Sequence, residues 1–118
     1  MDKKENKLLD MSTNFAVDIL NLVNYLQEIK VGIIPNQIGR SGTSIGANVS
    51  EAQYAQGKKD FVSKLKIALK EANETAYWLQ LLLKTKAINK ECFNNLNEKC
   101  TVIKLLLIKS CNTAQKPK

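Results

Sequence analysis

The sequence predicts an all-α protein, an antiparallel up-down-up-down four-helix bundle, and three observations carry that prediction. Apolar residues recur at steps of three and four in four separate stretches, which is the helical period and not the strand period. Glycine, proline and asparagine punctuate the chain between those stretches. A length of 118 residues suits one domain with a continuous core and needs no disulfide or metal staple. The expected domain spans residues 1–111, with helices over about 8–30, 35–56, 58–86 and 89–110, followed by a mobile polar tail at 112–118.

In the first helix Leu8, Met11, Phe15, Ile19, Leu22, Leu26 and Ile29 continue one apolar seam, and Gly32 is placed to supply a left-handed cap. Pro35 suits the first turn of the second helix and keeps Ile34 extended. There Ile38, Gly42, Ile45, Val49 and Ala52 alternate steps of four and three along one side. Gly42 and Gly46 each cost a helix interior about 1 kcal/mol relative to alanine, so their presence points to close packing against a neighbouring backbone. A phosphate-cradling loop is rejected, because the run from Arg40 to Gly46 lacks the lysine of that motif and follows no strand.

Gly57 ends the pattern, and Asp60 stands in the first turn of a third helix, where a carboxylate complements the helix dipole. On a wheel of about 100° per residue, Phe61, Leu65, Ala68, Ala72, Ala76, Leu79 and Leu83 form a core face. Lys59, Lys66, Lys70, Tyr77 and Lys84 fall within about 20° of the Lys59 direction on the opposite side. With Lys58 just ahead, they make a basic stripe that contains one aromatic ring. Ile67, Trp78 and Leu81 lie beside the stripe, and apolar surface left over after one core is made marks a second interface, most economically with another copy of the chain. Asn89 is a fitting N-cap for the fourth helix, in which Leu96, Cys100, Ile103 and Leu107 carry the seam.

A short turn between the second and third helices makes them antiparallel, which sets Arg40 level with residues near 73 and within reach of Glu71 or Glu74. Those residues are expected to fix helix or subunit register by ion pairing. The segment Arg40 to Asn48, then Glu51-Ala52, Lys59-Asp60-Phe61, Lys70 to Thr75 and Tyr77-Trp78-Leu79 together resemble the four-helix bundle proteins encoded in intervening sequences of bacterial 23S ribosomal RNA genes. The resemblance implies a ring-like homopentamer with no established enzymatic activity. Accessory proteins of diversity-generating retroelements are similar in fold to that family, and the likeness implies a basic barrel that binds nucleic acid.

Composition narrows the function classes. The chain has no histidine, which removes the usual general base near neutral pH and the commonest nitrogen ligand for metals. Cys92, Cys100 and Cys111 fit neither zinc-ligand spacing nor a disulfide framework and read as reduced, apolar thiols. No catalytic residue, cofactor, metal or small-molecule substrate is expected. The charged opening MDKKENKLLD is no secretory signal and no apolar run spans a membrane, so a soluble cytoplasmic protein is expected. Residues 1–57 hold five basic and six acidic side chains, net −1, whereas residues 58–118 hold thirteen and five, net +8, giving the total of +7. That excess favours a polyanionic partner, RNA or DNA, contacted through Lys58, Lys59, Lys66, Lys70 and Lys84. Lysine acts as a point charge and Arg40 is the one arginine, so backbone contact is expected in place of base reading, with Tyr77 open to stacking or to packing. The alternative is a protein-interaction module in which the lysines serve solubility alone.

Overall fold

The computed structural model describes residues 6–117, so the expectations placed on residues 1–5 and on Lys118 lie outside the described residues. Four helices follow in order: α1 (Lys7–Glu28), α2 (Ile34–Ala52), α3 (Lys58–Lys84) and α4 (Lys90–Gln115). They pack as an antiparallel four-helix bundle, with α2 against α1 and α3, α4 against α3, and the α1–α4 side the least closely packed of the four. The bundle is elongated, measuring 51 × 24 × 19 Å.

The core runs along the axis and draws on every helix. Phe15 and Ile19 from α1, Ile38 and Ile45 from α2, Leu65 and Leu79 from α3, and Ile103 and Leu107 from α4 are all buried. Full burial of side chains of this size contributes roughly 1.5–3 kcal/mol each before chain entropy is counted. On α3 the buried set is Val62, Leu65, Ala68, Ala72, Thr75, Leu79 and Leu82. Phe61, Ala76 and Leu83, expected on that face, stand on its shoulder, half-buried against the core. The buried sector is wide because α3 packs between α2 and α4.

Close approach of α2 to α1 explains the two glycines. A Cβ on Gly42 would meet Ile19 Cγ2 at 2.8 Å and Ile19 Cβ at 3.1 Å, and one on Gly46 would lie 3.3 Å from the Ser12 carbonyl oxygen. Ile19 is itself buried, and the neighbour of Gly46 is the backbone of Ser12. Between α2 and α3 a buried polar pair replaces apolar contact. The Ser41 and Thr75 hydroxyl oxygens lie 2.8 Å apart, and Thr75 donates to the Glu71 carbonyl at 2.8 Å.

Several ends differ from the sequence expectation. α1 stops at Glu28, and Ile29, expected in the seam, is an exposed C-cap. The left-handed residue is Lys30 and not Gly32. Val31 N–H donates to Leu26 O at 2.9 Å and Lys30 N–H to Gln27 O at 3.1 Å, the paired bonds of a Schellman motif. The end of α3 repeats it, with Lys86 left-handed and Ala87 N–H on Leu82 O. Ile34, expected to be extended, is the first helical residue, drawn in by packing against the core. α2 ends at Ala52 and not near residue 56, because the next position of its seam is the exposed Gln56. α4 runs on through residues expected in a mobile tail, since Cys111 is buried and Ala114 packs against the core. Asn89 caps α4 as expected, its side chain accepting from Cys92 N–H at 2.8 Å.

Candidate nucleic-acid interface

Lys58, Lys59, Lys66, Lys70, Lys84 and Tyr77 are all exposed on the outer side of α3. They are placed there by the helical period alone, because a residue opposite Leu65, Ala72 and Leu79 has nowhere to point but solvent. The N-terminal half of the stripe gathers into an open groove of about 880 Å³. Lys58, Lys59, Lys66 and Lys70 line it together with Ile67 and with Gln115 from the end of α4. Lys84 and Tyr77 do not line this groove; they continue the stripe along the same helix. From Lys59 to Lys84 the stripe runs about 37 Å at 1.5 Å per residue.

Among the described residues only Lys64 and Lys99 are lysines held in salt bridges, and the lysines of the stripe share the unbridged state of the rest while being gathered on one helix face. Lys64 pairs with Glu51 at 3.2 Å, and Lys99 with Asp18 at 2.9 Å. Among the described residues, Lys59, Lys66, Lys70 and Lys84 form no salt bridge. Lys58 reaches only the Lys116 carbonyl, at 3.5 Å. A second hollow of about 560 Å³ between α1 and α4 carries Asp18 and Glu91 instead of lysines and so has the wrong sign for an anion.

Arg40 sits between both carboxylates expected near it. Its Nη1 lies 3.2 Å from Glu71 Oε1, and its Nη2 donates to Glu74 Oε2. The same Glu74 oxygen accepts from Trp78 Nε1 at 3.0 Å. The Trp78 and Arg40 hydrogen bonds hold the Glu74 carboxyl below the usual carboxylate range against partial desolvation, with smaller help from the charges of Arg40 and Lys70. The Arg40 guanidinium is correspondingly raised, chiefly by its hydrogen bond to Glu74. Glu71, Glu74 and Arg40 therefore join α2 to α3 within one subunit. Trp78 is half-buried and packs against the core, Leu81 is half-buried, and Ile67 is exposed at 40%. Tyr77 meets the Trp78 ring edge-on, with centroids 5.2 Å apart and planes at 63°.

Sequence reasoning missed Gln115 on the groove wall and the Ser41–Thr75 pair. The signal for the first was the seam continuing through Cys111 to Ala114; for the second it was two polar residues at matching seam positions of α2 and α3. The sequence reading also overlooked the outer face of α4, where Val102, Leu105 and Ile108 are exposed. All three cysteines are free thiols. Cys100, 3.4 Å from the Ala72 carbonyl, is pushed up to about 11 by burial, against a small opposing effect of Lys104. Among the described residues no group of three or more Cys, Asp or Glu side chains is arranged to hold a metal ion, and no helix is long and apolar enough to cross a membrane.

Comparison with known proteins places these features in a family. Residues 4–109 match the family model described as 23S rRNA-intervening sequence protein. A crystal structure of a protein of unknown function from the S23 ribosomal protein family of Bacteroides thetaiotaomicron is similar to this chain, with 50% sequence identity and a TM-score of 0.86. The alignment covers 88% of this chain and 97% of that one. No curated protein matches the sequence.

Proposed function

Because the chain belongs to the 23S rRNA-intervening sequence protein family, we propose that it is a non-enzymatic, homo-oligomeric helical scaffold that binds RNA or DNA electrostatically through α3. A pentamer is the assembly that the family resemblance implies, and the cytoplasm is its place of action. The observation that carries the reading is the stripe of exposed lysines with no salt-bridge partners, four of which line one groove. Repeated five times, a formal charge of +7 becomes about +35, a strong attraction for a polyanion.

Titration of the protein with RNA and DNA at rising salt, with native mass recorded alongside, tests the proposal. Affinity should fall linearly with salt on logarithmic axes, with a slope of about 0.7 per single-strand phosphate neutralised. Lys66→Glu combined with Lys70→Glu should lower both affinity and slope. Native mass should exceed the 13.2 kDa of one chain and rise with RNA. Absence of binding at low salt overturns the nucleic-acid reading, and a monomeric mass overturns the scaffold.

A protein-interaction module without nucleic-acid binding is the second reading, favoured by Val102, Leu105 and Ile108 on the side of α4 that faces away from its own core. A stoichiometric polypeptide partner that survives nuclease treatment of the lysate would establish it.

A further inference from the structure

Tyr77 is unlike the rest of the stripe. It is 57% exposed in the line of lysines, about 10.5 Å along the helix from Lys70 on one side and from Lys84 on the other. An exposed tyrosine on a helix usually pivots freely, but this one is braced. Its ring meets Trp78 edge-on, the Trp78 indole N–H is held by Glu74, and Glu74 is held in turn by Arg40 from the neighbouring helix. The phenol ring is thus more than half exposed while one side of it rests against a tryptophan that is itself held in place.

We infer that α3 binds a single-stranded nucleic acid, with the lysines following the phosphates and Tyr77 stacking on one unpaired base. This rests on the electrostatic reading above and goes beyond it, because phosphate attraction alone does not distinguish a strand from a duplex. Stacking does, since every unpaired base offers a π-face while the bases of a duplex are already stacked on one another. The brace lowers the cost of binding by fixing the ring beforehand. Arg40, Glu74 and Trp78 are thus positioning residues for Tyr77.

Fluorescence anisotropy with a short oligouridylate, an oligothymidylate of equal length, and an RNA and a DNA duplex provides the test, and emission of Trp78, the chain's one tryptophan, gives a second readout. Wild type should prefer the single strands. Tyr77→Ala should weaken single-strand binding on the order of tenfold while leaving duplex affinity and the salt slope unchanged, and Tyr77→Phe should bind as wild type does. Single strands, and not duplexes, should change Trp78 emission, and Tyr77→Ala should abolish that change. The RNA and DNA arms separate the two sources of a single strand. Equal binding of strands and duplexes with Tyr77→Ala silent overturns this inference and leaves the electrostatic reading standing. No binding to any of the four by wild type at low salt overturns both.

Discussion

At Lys30 and Lys86 the backbone enters the left-handed region, with φ of 61° and 63°. A side chain with a Cβ is strained there by about 1–2 kcal/mol, and glycine is not. The strain persists because each motif seats a following apolar residue, Val31 or Ala87, against the core. Lys30→Gly and Lys86→Gly should each stabilise the protein by about 0.5–1 kcal/mol once the greater freedom of glycine in the unfolded chain is subtracted. A rise in the urea midpoint at unchanged m-value would show it, and a fall would contradict it. These positions were not legible beforehand, because Gly32 two residues on offered the more obvious left-handed site, whereas the backbone of Gly32 has no positive φ.

Pairs of helices are fixed by two different devices. α1 and α2 meet through the absence of side chains, so Gly42→Ala must displace Ile19 or separate the helices. Overpacking of this kind costs about 1–3 kcal/mol, more than the gain of about 1 kcal/mol in helix propensity. A net fall in melting temperature is expected, and a rise would show that the seam has slack. α2 and α3 meet through polar groups, among them Glu74. Its folded pKa is depressed, so its contribution is complete above the unfolded value of about 4.3 and is lost as pH falls through the folded value. The melting temperature of wild type should therefore exceed that of Glu74→Gln at neutral pH, and the gap should narrow below about pH 4. An unchanged gap in acid would remove the ion pair from the account. The Arg40 pairing was readable in sequence because a short turn fixes which residues lie level. The Ser41–Thr75 bond was not, because hydroxyls in an apolar seam declare themselves only once the facing helix is in place.

At the scale of the molecule, the division of charge along the chain becomes a division in space. α3 and α4 are neighbours, so the described residues 58–117, with twelve basic and five acidic side chains, net +7, form one side of the bundle and the near-neutral half the other. That polarity was legible, since charge on an exposed helix face needs no packing to predict it. The groove was not, because Gln115, the one lining residue contributed by α4, looked like part of a tail. This last turn of α4 also governs how the protein should be handled. Gln115 stands on the groove wall and Lys116 lies against Lys58, so any purification tag spliced after them emerges over the lysines. An acidic extension there would compete for the surface that a binding assay interrogates. A fluorescent dye belongs at the opposite end of the bundle from the groove, where a Cβ on Gly32 would meet nothing within 4 Å and Gly32→Cys offers an attachment point away from Lys58, Lys59, Lys66 and Lys70.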